Sequence, residues 1–162
     1  DYIDDKSIID YKAQSDVVDS TFPIEEIESN LLSLTPMNMK VFAFLETRDM
    51  SIPIMVKNFL IGDSNLCADV DFDLKSMVEY KPPEGESVLA LIMLKNDINF
   101  YIENVGTSII IIDGFQIWPG ETTNLNHYNV FEMCGCDFAF SINIFFMDKF
   151  KKVALQISNM LK

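Results

Sequence analysis

The longest apolar run in this 162-residue chain is seven residues, VLALIML at 88–94, and every other run is shorter. That length limits what the chain can become. A buried helix needs ten or more residues of periodic pattern and a membrane span about 20 apolar ones, whereas a strand needs only four to eight. From 39 onward such runs recur at 41–45, 52–56, 59–61, 88–94, 100–103, 109–112, 115–118, 124–125, 128–134 and 137–145. Turn signals separate them: Thr47-Arg48-Asp49, Lys95-Asn96-Asp97, Asn104-Val105-Gly106, Asp113-Gly114 and Pro119-Gly120. Many short strands at even spacing predict an all-β sandwich. Asp113-Gly114 is the sharpest hairpin signal, because glycine accepts the positive φ that a two-residue turn imposes. Cys134-Gly-Cys136 lies in an alternating apolar context and reads as strand.

One further run alternates cleanly. In Val70-Asp71-Phe72-Asp73-Leu74 a period of two buries one face and leaves carboxylates on the other. Lys81-Pro82-Pro83-Glu84-Gly85-Glu86 then forbids regular structure. At the end the period changes: Phe146, Phe150, Val153, Ile157 and Leu161 follow a spacing of three and four, with Lys149, Lys151 and Lys152 on the opposite face. An amphipathic helix is expected over 147–162, its apolar face either packed on its own sandwich, the favoured reading, or offered to another subunit. At the other end, 21–38 holds a short helix and linker, with Ile24, Ile27 and Leu31 on one face and Ser20 or Thr21 as cap. Residues 1–20 form an acidic arm, either a disordered tail or a segment that folds on a partner or a sheet edge.

Charge bounds the partners. The formal net charge is −13, and binding a nucleic acid relies on cations that displace counterions, so direct nucleic-acid binding is disfavoured. No membrane span and no leader segment are expected. Residues 1–30 carry nine acids against two bases, and 147–162 one acid against four lysines. A protein partner with a basic or neutral surface, or a peptide segment, fits this distribution, and self-association through the arm or helix stays open.

Candidate chemistry is sparse. Cys67, Cys134 and Cys136 fit no disulfide framework and point to a reducing compartment. Their spacing with His127, the sole histidine, is not that of a structural zinc site. Asp69, Asp71 and Asp73 on one strand would stand about 7 Å apart, too far for one ion but suited to docking a basic partner. Neither a nucleophile elbow nor a phosphate-cradling glycine loop occurs, so no enzyme, metal or cofactor is expected. Trp118 is expected to pack at a strand end; the alternative is an exposed anchor for a partner.

Taken together, Phe59-Leu60-Ile61-Gly62, Ala68 through Leu74, Leu91 through Gly106 and Ile111-Ile112-Asp113-Gly114 make residues 39–162 resemble a forkhead-associated (FHA) domain, closest to the microspherule-protein type. The resemblance implies an FHA-like sandwich of about eleven strands over 39–146, with the C-terminal helix packed on it. It implies a nuclear scaffold protein of chromatin or transcription complexes, with the cytoplasm as the alternative location. FHA domains read phosphothreonine through loops at one end, with an arginine directly after the glycine of the third strand. They add a serine, often in Ser-x-x-His, and an asparagine of a later turn.

This chain departs from that pattern at each point. Asp63 stands where the arginine belongs, followed by Ser64; Glu86-Ser87-Val88-Leu89 replaces Ser-x-x-His; and Asn104-Val105-Gly106-Thr107-Ser108 is one residue short. The degenerate loops therefore comprise Asp63, Ser64, Glu86, Ser87, Asn104, Thr107 and Ser108. The expected function is a non-catalytic, phosphate-independent protein–protein interaction module. The alternative is a phosphothreonine reader using Ser87, Thr107, Ser108 and Lys57 or Lys81 as substitute donors.

Overall fold

The short apolar runs become strands, and the strands close two sheets over one core. A computed structural model describes residues 40–160; the expected arm, the expected helix within 21–38 and the last two residues lie outside them. In chain order the strands are β1 (Ala43–Glu46), β2 (Ser51–Ile54), β3 (Asn58–Gly62), β4 (Phe72–Asp73), β5 (Leu89–Leu94) and β6 (Phe100–Asn104). Then follow β7 (Ile110–Ile112), β8 (Phe115–Ile117), β9 (Thr122–Asn124), β10 (Val130–Met133), β11 (Cys136–Ile142) and helix α1 (Ile144–Met160). One sheet runs β2-β1-β11-β10-β7-β8 and the other β4-β3-β5-β6-β9. All pairings are antiparallel except β3 with β4. The eleven-stranded sandwich with a C-terminal helix is the architecture the sequence predicts.

The inner faces meet in an aromatic core. Phe131, Phe138 and Phe140 are fully buried, with Phe131 stacked on Phe138 at 5.1 Å and Phe140 edge-on to Phe100 at 5.1 Å. Each such side chain contributes roughly 1.5–3 kcal/mol by leaving water. β3 and β5 are buried along their whole length, which explains why 88–94 is apolar throughout instead of alternating. Ile61, Ala90 and Ile92 face the main core, while Leu60, Leu89, Leu91 and Met93 gather with Cys67 and Val105 in a second cluster on the outer face. The loop after β3 thus folds back over its own sheet.

Several expectations are corrected. The run 70–74 forms strand only at Phe72–Asp73, and a 3₁₀ turn follows at Leu74–Ser76. Its carboxylates take up backbone amides and do not form one strand row: Asp71 accepts from the Leu60 amide of β3 at 2.7 Å, and Asp73 caps the turn by accepting from the Lys75 amide at 3.1 Å. Short acidic side chains compete with ladder bonding in this way. Cys134-Gly135 is a turn, not strand: both residues have positive φ, 45° and 88°, and Met133 pairs with Cys136 across it. β11 stops at Ile142 because Asn143 caps the helix, its carboxamide oxygen accepting from the Phe146 amide at 3.2 Å and its amide donating to the Val41 carbonyl at 2.9 Å. The helix accordingly begins before 147, and Phe146 and Phe150 each lie 5.7 Å from the Phe42 ring.

Trp118 is 53% exposed, not packed at the strand end. It opens a turn in which Gly120 has φ 88° and the Glu121 amide donates to the Trp118 carbonyl at 2.9 Å. His127 has a structural partner, its Nδ1 accepting from the Ile142 amide at 2.9 Å.

Candidate functional site

Three loops converge at one end of the sandwich, and each is held there by a specific local interaction. The β3–β4 loop starts at Gly62, where a Cβ would fall 2.4 Å from the Leu89 side chain and 3.0 Å from the Val88 carbonyl oxygen. Glycine lets β3 end this close to β5 without displacing the Leu89 side chain or the Val88 carbonyl. Asp63 follows at once. Its carbonyl accepts from the amides of Leu66 and Cys67, forming a tight turn that folds Cys67 onto the sheet.

The β4–β5 loop is anchored from below by the Cys134-Gly135 turn. The Lys81 amide donates to the Cys134 carbonyl at 2.9 Å, and a Cβ on Gly135 would stand 2.6 Å from the Glu79 carbonyl oxygen. That packing fixes Tyr80 between them. Burial raises the Cys134 thiol above its ordinary pKa and pushes Cys136 up to about 11, so both remain protonated parts of the platform near neutral pH.

The β6–β7 loop is locked to the other two by Asn104 and Gly106. Asn104 is fully buried: its Nδ2 donates to the carbonyls of Ser108 and Ile117 at 2.8 and 2.9 Å, and its Oδ1 accepts from the Gly106 amide at 3.1 Å. The side chain is therefore a brace inside the fold and presents nothing to a ligand. A Cβ at Gly106 would sit 2.7 Å from the Ser87 carbonyl oxygen and 2.8 Å from the Leu89 amide nitrogen, both backbone atoms. Ser87 and Thr107 bond reciprocally, the Ser87 amide donating to the Thr107 hydroxyl at 2.8 Å and the Thr107 amide to the Ser87 hydroxyl at 3.1 Å.

Between these loops lies a cleft of about 590 Å³. Asp63, Asn65 and Leu66 line it from the first loop; Tyr80, Pro82, Pro83, Gly85, Glu86 and Ser87 from the second; and Thr107 from the third. Asp63 is 5% exposed. Its Oδ1 accepts from the Asn65 amide at 2.8 Å and its Oδ2 from the Tyr80 hydroxyl at 2.7 Å. Both donors are neutral. Burial, followed by the hydrogen bond to the Asp63 carboxylate, raises the Tyr80 phenol far above its ordinary value. Glu86 is exposed at the rim and accepts weakly from the Ser108 hydroxyl at 3.4 Å.

The structure thus gathers Asp63, Glu86, Ser87 and Thr107 around one cleft. Ser64 turns the other way: its hydroxyl and amide donate to Asp73 at 2.6 and 3.2 Å. Burial alone would raise the Asp73 carboxyl, but the Ser64 and Lys75 hydrogen bonds outweigh it and lower the pKa. Ser108 is buried behind the lining. Tyr80, Pro82 and Pro83 were not legible as site residues. Nothing in the local pattern of Glu79-Tyr80-Lys81 marks Tyr80, since its partner Asp63 is 17 residues away. No lysine or arginine lines the cleft among the described residues.

No protein-family profile and no curated protein matches this chain. Solved structures do. The FHA1 domain of yeast Rad53, determined by NMR, superposes with a TM-score of 0.54 at 13% identity, covering 82% of this chain and 94% of that one. The N-terminal FHA domain of S. cerevisiae Rad53p, crystallised with a phosphothreonine peptide, gives 0.51 at 11% identity over 67% of this chain and 98% of that one. At such identities the likeness establishes the fold: an FHA-like β-sandwich.

Proposed function

We propose that this FHA-like sandwich is a non-catalytic protein–protein interaction module whose end cleft receives a peptide segment without reading phosphate. The fold likeness supports the first half, since the Rad53p domain was solved with a peptide bound. The observation that carries the second half is Asp63. A phosphate dianion needs charge-assisted donors. The cleft offers a carboxylate at its base, another at its rim, and the Ser87 and Thr107 hydroxyls, which contact each other at 3.3 Å and accept from each other's backbone amides. Each carboxylate opposes each unit of ligand charge by about 1 kcal/mol at contact distance even in a wet site. The resemblance to microspherule-type domains extends the proposal to a scaffold subunit of nuclear chromatin or transcription assemblies.

Calorimetric titration with a phosphothreonine peptide library and its unphosphorylated counterpart tests the reading. Equal or weaker binding of the phosphorylated set is expected. Micromolar binding that disappears on dephosphorylation would establish the substitute-donor alternative instead.

A further inference from the structure

Asp63 combines near-complete burial with the absence of any cationic partner among the described residues; its contacts there are the neutral Asn65 amide and Tyr80 hydroxyl. A buried carboxylate in that condition is under-compensated, because neutral hydrogen bonds replace only part of its hydration. It also retains acceptor capacity: each carboxylate oxygen can take two hydrogen bonds, and each has one here.

The cleft opening onto Asp63 is lined by Leu66, Pro82 and Pro83 on its apolar part and bounded by Glu86 at the rim. We infer that this cleft takes the side chain of an arginine or lysine from a partner peptide. The aliphatic stem would lie along Leu66 and the two prolines, and the cationic head would meet Asp63. Arginine is the better match, since its planar fork can bond both carboxylate oxygens at once while its stem remains in apolar contact. The inference deepens the peptide-binding reading proposed above and rests on it.

The test uses the full chain and a short alanine–glycine peptide carrying one central residue: arginine, lysine, citrulline or phosphothreonine. Binding is followed by backbone amide NMR shifts. The expected result is saturable shifts at Asp63, Asn65, Leu66, Ser87 and Thr107 with the arginine peptide at millimolar concentration. The citrulline peptide, neutral and nearly isosteric, should bind about tenfold more weakly, and Asp63→Asn should shrink that difference to the roughly twofold to threefold that Glu86 supplies. Glu86→Gln, on the exposed rim, gives an independent variant that leaves the fold unstrained; it should weaken the arginine peptide about twofold to threefold and leave citrulline unchanged. Equal binding of arginine and citrulline in the cleft would overturn the cation site while leaving the peptide module intact. Preferential binding of the phosphothreonine peptide would overturn both. Absence of arginine-dependent shifts at these residues would overturn the cation site.

Discussion

Tyr80 keeps its proton because its ring is partly buried and its hydroxyl donates to a carboxylate, and ionising it would place two negative charges in contact. The sign follows directly. A phenol whose folded-state pKa lies above the unfolded value of about 10 contributes stability that is complete below that pH and lost as pH rises toward the folded value. Ultraviolet titration should therefore show a late component ionising above the usual tyrosine range, and Tyr80→Phe should reduce that component by one phenol. Tyr80→Phe also leaves Asp63 short of a donor, and should cost about 1.5–3 kcal/mol in urea denaturation, the range for a hydrogen bond to a charged group. Asp73 acts in the opposite direction. Its lowered carboxyl contributes stability above the unfolded value of about 4, and this is lost as pH falls through the folded value. Asp73→Asn should flatten the acid limb of the stability profile between those two values.

Elements are held by a few backbone positions that admit no alternative. The β7–β8 hairpin turns through Asp113 at φ 47° and Gly114 at φ 85°, as expected from that dipeptide. Gly114 has no atom within 4 Å of its would-be Cβ, so Gly114→Ala pays only the left-handed backbone penalty, about 1–2 kcal/mol. Gly106→Ala differs in kind, since the added methyl meets fixed backbone of Ser87 and Leu89. A loss of about 1–3 kcal/mol is expected, together with displaced amide resonances at Ser87 and Thr107, where the Gly114 variant leaves the cleft unchanged. Helix α1 depends on Phe150, fully buried against Phe42. Truncating it to alanine should cost about 3–5 kcal/mol by urea denaturation.

For the whole molecule, a net charge of −13 opposes compaction, and salt screens that repulsion over about 8–10 Å. Adding sodium chloride at constant pH should raise the urea midpoint. The same addition should weaken binding of a cationic peptide to the acidic cleft, so folding and binding are expected to respond to ionic strength with opposite signs. Measuring both on one sample checks the pair.

Alternation, run length and turn chemistry determined the sandwich, the Asp113-Gly114 hairpin and the C-terminal helix, because these depend on residues close in sequence and on which faces must leave water. The resemblance placed Asp63 at the end of β3, and with it the sign of the charge at the cleft. Tertiary structure alone decided what that charge touches. The Tyr80 hydroxyl reaches it across 17 residues, Asn104 is withdrawn into the interior as a brace, and Ser64 turns to Asp73. The acidic run after β3 alternates as a strand does, yet it mostly folds as loop and turn, because Asp71 takes the Leu60 amide of β3 and Asp73 takes the amides of Ser64 and of Lys75 in its own turn. Hydrogen-bond partners brought together by chain crossing leave no periodic trace in a sequence, whereas burial patterns do.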